Sequence, residues 1–246
     1  MLFGGDSAQS YYEEGLTSAI KGNYEEAIRY FKEALKRDKY LYQAEHQIGR
    51  CLLRQGKTKE ALPILEKAVK HLDELSAPKI DLGNALIQQG QIKGARDIFS
   101  HLLKTKPQEK RAVLGLAYCA FHEAQWETAA GLLQRTLELG RSQFDVHFLL
   151  AQAADKMGEF QLAIAQYQQA ENLMQQSIEA TPDQAAAYYL LARVHEGMGY
   201  YNRAVEDIDQ ALLYAEEGQC YSAYNIFFSR ETMLAYKETL TTKLRK

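Results

Sequence analysis

An all-α, right-handed solenoid of about six helix-turn-helix units is the fold class this sequence predicts, on three observations. A small residue recurs every 34 positions, as Gly15, Gly49, Gly83, Ala117 and Ala151. A turn residue follows seven positions after each, as Gly22, Gly56, Gly90, Ala124 and Gly158. A second helix keeps step: Ala27, Ala61, Ala95, Ala129 and Ala163 are each followed four residues on by Phe31, Leu65, Phe99, Leu133 and Tyr167. A period of this length marks an array in which each unit buries its apolar face only on its neighbours. Small slots let helices approach closely, and the bulky residue fills the space left beside them.

Taken in order, residues 1–7 are short, Gly-rich and expected to fray. A first helix runs from about Ala8 to Lys21, Gly22-Asn23 breaks it, and a second ends near Arg37-Asp38. Asn23 is the expected N-cap there, with Glu25 and Glu26 favourable in the first turn. The units fall at about 8–41, 42–75, 76–109, 110–143, 144–184 and 185–217. Pro63 sits early in its helix, where it is expected to delay or bend the start. Ala124 replaces the turn glycine of unit four, and Trp126, the only tryptophan, is expected to plug the neighbouring groove.

Between units five and six the period slips, since Ala151 to Ala192 is 41 residues. The run from Gln161 to Ala180 has no breaker, and Thr181-Pro182-Asp183 supplies a stop and a new start. The second helix of unit five is therefore expected to be longer by about two turns, a protrusion of ~10 Å. Either it is a tolerated extension, or it is a ledge for a partner. Residues 218–246 are expected to be a capping helix and basic tail. In that reading residues 220–244 form one helical segment whose Tyr224, Phe227, Phe228, Leu234 and Tyr236 cover the terminal seam. Ser229-Arg230-Glu231-Thr232 could instead break it in two.

These in-phase copies resemble the tetratricopeptide repeat family. Tyr11-x-x-Glu14-Gly15 begins the first unit, and Tyr188-x-x-Leu191-Ala192 begins a sixth that continues with Gly199, Ala204, Ile208 and Ala211. The resemblance covers roughly residues 8–217. There are departures. The aromatic slot reads Tyr11, Glu45, Lys79, Val113, His147 and Tyr188, Glu14 takes a leucine slot, and only Pro107 holds the closing-proline slot of an unshifted unit.

Several function classes are disfavoured. With 29 Lys and Arg against 32 Asp and Glu, the chain lacks the basic excess of a nucleic-acid binder. The three cysteines, Cys51, Cys119 and Cys220, lie far apart and outside any CxxC or Cys/His spacing, so neither a zinc site nor a disulfide framework is expected. No apolar run reaches membrane-span length, and no basic and apolar leader opens the chain. A cytoplasmic location is expected unless a leader was removed. No GxxxxGK[ST], GxGxxG, GxSxG or HExxH motif occurs, so neither an enzyme nor a bound cofactor or metal is expected. His195-Glu196 lacks a second histidine, and His195 falls on the packing face of its helix, where a satisfied core histidine is expected.

In tetratricopeptide arrays the first helices line a concave groove. On that implied geometry the first half offers His46, Gln47, Arg50, Arg54, Asp81, Asn84 and Gln88. The second half offers Ile80, Leu114, Tyr118, Phe121, Phe148, Leu149 and Tyr189, bordered by Arg111, Asp145, Gln152 and Arg193. The resemblance thus implies a non-catalytic scaffold or adaptor that binds a protein or peptide segment in the groove, centred on Tyr118, Phe121, Phe148 and Tyr189. Arg50, Arg54, Arg111 and Arg193 would steer acidic residues. The apolar members could instead pack between helices or under the cap. Chaperone-adaptor relatives clamp a carboxylate with lysine, asparagine and arginine, but the matching positions are Tyr12, Leu16, Gln47, Ala77 and Asp81. A heat-shock chaperone tail is not the expected ligand. The alternative is a structural subunit, self-associated or within a larger assembly, using the convex face, the extension around Met174, or Tyr221, Tyr224, Phe227 and Phe228.

Overall fold

The computed structural model describes residues 7–181, 184–223 and 226–245, which form thirteen α-helices and a two-stranded sheet. The Pro182-Asp183 stop, Tyr224 and the Phe227 side chain lie outside what is described. The chain divides into two compact units, Met1–Gly115 and Leu116–Lys246.

The first unit holds α1 (Ala8–Ile20), α2 (Tyr24–Arg37), α3 (Tyr42–Arg54), α4 (Thr58–His71), α5 (Ser76–Gln88), α6 (Ile92–Thr105) and the start of α7 (Lys110–His122). Its packing follows the repeat. A Cβ added at Gly15 would lie 2.6 Å from the Phe31 ring, and one at Gly49 would lie 2.6 Å from Leu65. Phe99 is packed on two glycines, because a Cβ at either Gly83 or Gly115 would lie 2.4 Å from its ring. Phe31, Leu65 and Phe99 are fully buried. The repeat alanines Ala27, Ala61 and Ala95 are buried as well. Asn23 stands at the N-cap of α2, but its side chain makes no capping hydrogen bond. Pro63 lies within α4 on its exposed side, and the helix still begins at Thr58, so the delayed start does not occur.

The second unit holds the end of α7, α8 (Trp126–Glu138), α9 (Phe144–Met157), α10 (Phe160–Ala180), α11 (Ala185–Gly197), α12 (Tyr201–Tyr214), β1 (Cys220–Ala223), β2 (Ile226–Ser229) and α13 (Arg230–Leu244). Here the close approach falls one turn past the expected slot: a Cβ at Gly197, five residues after Ala192, would meet the Tyr167 ring at 2.4 Å. The Tyr167 hydroxyl donates to Asp155 at 2.9 Å. Burial acts first, and the Asp155 carboxylate second, to push the Tyr167 pKa up. Ala124 takes the left-handed turn conformation, φ 56°, that glycine adopts in the other turns. Helix α10 runs for 21 residues against 14 for α2 and α12.

The single helix expected over 220–244 is corrected. β1 and β2 pair antiparallel, with Cys220 opposite Ser229 and Tyr221 opposite Phe228. Aromatic and β-branched residues such as Tyr221, Ile226 and Phe228 suit a pleated strand. Ser229 then caps α13: its hydroxyl accepts from the Thr232 amide, and Thr232 returns a bond to the Ser229 backbone. The helical part of the cap is therefore α13 alone.

Candidate functional site

In the first unit, three first helices are tied together through one carboxylate. His46 of α3 donates to Asp81 of α5 at 2.8 Å, and Arg111 at the start of α7 donates to the other Asp81 oxygen at 3.2 Å. Arg50, one turn after His46, brings its Nε within 3.6 Å of Asp81 and donates to Gln47 at 3.1 Å. His46 and Asp81 are buried, whereas the Arg50 and Arg111 side chains are 49% and 41% exposed. Arg54, four residues after Arg50 and so on the same side of α3, is exposed. Two guanidinium groups thus approach one carboxylate, and positive charge is left facing solvent. Ile80 and Leu114, expected as apolar anchors, are buried instead.

In the second unit, Tyr118 of α7 donates to Asp145 of α9 at 3.1 Å. Burial raises the Asp145 carboxyl above the usual carboxylate range, against the pull of Arg141 and Tyr118. Phe148 is buried, stacked on Phe144 at 5.3 Å and edge-on to Tyr167 at 6.1 Å. Leu149 is also buried. Phe121 alone of the expected apolar anchors is half-buried, with Trp126 edge-on to it at 5.1 Å. Trp126 therefore packs on the helix just before it in the same repeat.

The cap covers the rest of the expected groove in this unit. Tyr189 of α11 stacks on Phe228 of β2 at 4.3 Å and meets Tyr236 of α13 edge-on at 5.7 Å. The Arg193 guanidinium lies 5.9 Å from the Phe148 ring centre and 5.6 Å from that of Tyr236. It also approaches Glu196 at 3.9 Å. Glu196 accepts from Tyr236 and from Lys243, each at 2.6 Å. Burial alone would raise the Glu196 pKa, but these two donors hold it below the usual range.

His195 is buried on the packing face of α11, with its ring bonded to Asp207 of α12 at 2.5 Å and Glu171 of α10 at 3.2 Å. Among the described residues no group of three or more His, Cys, Asp or Glu could hold a metal, and no helix is long and apolar enough to cross a membrane. A cleft of about 460 Å³ opens beside α2, lined by Tyr11, Arg29, Tyr30 and Glu33 among others, and contains none of the expected groove residues.

Paired helices that repeat a small slot against a large side chain define an α-solenoid protein. Tetratricopeptide repeat profiles match residues 19–75, 52–117 and 86–153, and again 144–184 and 185–217. The chain belongs to the tetratricopeptide repeat family. Among solved structures it is similar to MamA (41-end) from Desulfovibrio magneticus RS-1, at 22% identity and a TM-score of 0.60 over 70% of this chain and 97% of that one. It is also similar to PilF of Pseudomonas aeruginosa, at 18% identity and a TM-score of 0.61 over 82% and 89%. A chain of the APC/C hetero-tetramer Cut9-Hcn1 matches at 18% identity and a TM-score of 0.69, over 85% of this chain but 40% of its own length. At these identities the likeness is one of fold. No curated protein sequence matches the chain.

Proposed function

We propose that the protein is a non-catalytic interaction scaffold whose first-helix face in residues 1–115 receives an acidic segment of a protein partner. The Asp81 cluster carries this reading. His46 and Arg111 hold the carboxylate from either side, so the orientation of α3, α5 and α7 is set by charge-assisted bonds before any partner arrives. Arg50, which shares Asp81 with His46 and Arg111, and Arg54 then project from successive turns of α3, with more positive charge than the one carboxylate offsets. A partner carboxylate is the group that complements them, and such charges govern encounter rate and register more than bulk affinity.

The burial of Phe148 and Tyr189 argues against them as the centre of recognition and moves the weight to the arginines. Selection of a random-peptide display library on the wild-type chain and on Arg50→Glu/Arg54→Glu tests the reading. Peptides rich in Asp and Glu are expected on the wild type and absent from the variant. Recovery of the same peptides by both, with unchanged circular dichroism, would overturn it.

A further inference from the structure

Charge is divided unevenly along the chain. Residues 1–115 carry 19 Lys and Arg against 15 Asp and Glu, a formal charge of +4, whereas residues 116–246 carry 10 against 17, or -7. The overall value of -3 therefore joins a basic first unit to an acidic second one. On the α3 face of the first unit, Arg50 is 49% exposed, and Arg54 is exposed with no carboxylate partner among the described residues. Ile20 of α1, 34 residues before Arg54 and so at the matching place in the preceding repeat, is 87% exposed.

The second unit presents an acidic turn. Between α12 and β1, Glu216, Glu217, Gly218 and Gln219 are all exposed. The turn has a fixed shape. Gly218 takes φ 74°, the Glu216 amide donates to the Tyr221 hydroxyl at 2.8 Å, and that hydroxyl donates to the Gln219 side-chain oxygen at 3.2 Å. The Tyr221 ring stacks on the buried Phe228, which ties the turn to the cap. Among the described residues neither Glu216 nor Glu217 meets a cation. Leu213, three residues before Glu216, is 72% exposed.

We propose that the acidic segment received by the α3 face is the Glu216-Glu217 turn of a second copy, an assignment that rests on the arginine-face reading above. Two adjacent, unpaired carboxylates on a preorganised turn meet Arg50 and Arg54, which are neighbours on successive turns of α3. Opposite net charges on the two units steer the first unit of one copy toward the second unit of another, and oppose contacts between like units. The small overall charge leaves little general repulsion between copies. Exposed ion pairs alone contribute little, and Ile20 and Leu213 give each side an exposed aliphatic residue near its charges. The contact joins unlike surfaces, and every copy carries both.

Sedimentation velocity of the full chain from about 5 to about 300 μM, with a reductant to keep the exposed Cys220 from cross-linking, reads the association. The wild type is expected to associate at low salt and to dissociate at about 0.5 M salt, where exposed charges are screened. Arg50→Glu/Arg54→Glu and Glu216→Lys/Glu217→Lys are each expected to stay monomeric with unchanged circular dichroism. An equimolar mixture of the two variants holds one intact copy of each surface and is expected to associate again. Association that survives Glu216→Lys/Glu217→Lys, or a mixture that stays monomeric, would overturn the proposal. A wild type that stays monomeric but still selects acidic display peptides would overturn this choice of partner alone; one that selects none would overturn the arginine-face reading with it.

Discussion

The ring of Phe228 stacks on the ring of Tyr189 with centroids 4.3 Å apart and planes inclined by 17°. Tyr221 also stacks on Phe228, at 5.7 Å, so a strand residue contacts both an aromatic of its own hairpin and one of α11. The cap is thereby part of the second unit's core, together with the buried Met233 and Leu240 of α13. Phe228→Ala is expected to lower unfolding free energy by about 3–5 kcal/mol, the usual cost of emptying a buried phenylalanine site. Urea denaturation followed by circular dichroism measures it; a loss below about 1 kcal/mol would mean that the hairpin only rests on the surface.

Phe99 occupies the space between Gly83 and Gly115. A methyl at position 83 drives into the ring at 2.4 Å, and the ring has little room to retreat, since it is packed closely enough on Gly115 that a Cβ there would also meet it at 2.4 Å. Gly83→Ala should therefore cost about 1–3 kcal/mol by overpacking, and Phe99→Leu in the same background should recover part of it. Thermal melts of the single and double variants test the coupling, which independent, additive effects would refute.

Ala124 holds a left-handed conformation that disfavours any residue with a Cβ. That conformation costs roughly 1–2 kcal/mol, against about 0.4–1 kcal/mol by which alanine restricts the unfolded chain relative to glycine. Ala124→Gly is expected to stabilise the fold by about 0.5–1 kcal/mol. A lower melting temperature for the variant would show that the turn is unstrained.

His195 carries a pH dependence of known sign. Burial acts to lower its pKa, but Asp207 and Glu171 outweigh it and hold the ring above its ordinary value of 6.5. A raised folded-state pKa means that the protonated ring is favoured by folding. The contribution is complete below about pH 6.5 and is lost as pH rises through the folded value. Urea midpoints of wild type and His195→Gln should therefore differ most in mild acid and converge toward alkaline pH. Parallel profiles would contradict this.

The repeat was legible because its cause is local: a small residue every 34 positions and a large side chain set against it mark a packing contact that needs no knowledge of the neighbours. Thus Gly49 met Leu65 and Gly83 met Phe99 as their spacing predicts. Gly115 as the second wall for Phe99 was not legible, since it lies off the slot phase and depends on how the next helix leans. The hairpin was missed because a short aromatic run reads equally as strand or buried helix. Spacing placed Ile80, Phe148 and Tyr189 on a helix face, but could not say that neighbouring side chains or the cap would cover them. The pairing of His46, Asp81 and Arg111 was hidden for the same reason, although all three stood among the expected groove residues.

The most direct test of the scaffold reading is the affinity of a fluorescent acidic peptide, selected on the wild-type chain, for wild type and Arg50→Glu/Arg54→Glu, measured by anisotropy at low and high salt. Partly exposed charges are screened over about 10 Å at 0.1 M salt, so wild-type affinity should fall as salt rises. Charge reversal at both arginines should weaken binding at least tenfold, or about 1.4 kcal/mol, and remove most of the salt dependence. Equal affinity of the two proteins at both salt concentrations would contradict the assignment of the α3 arginines to partner recognition.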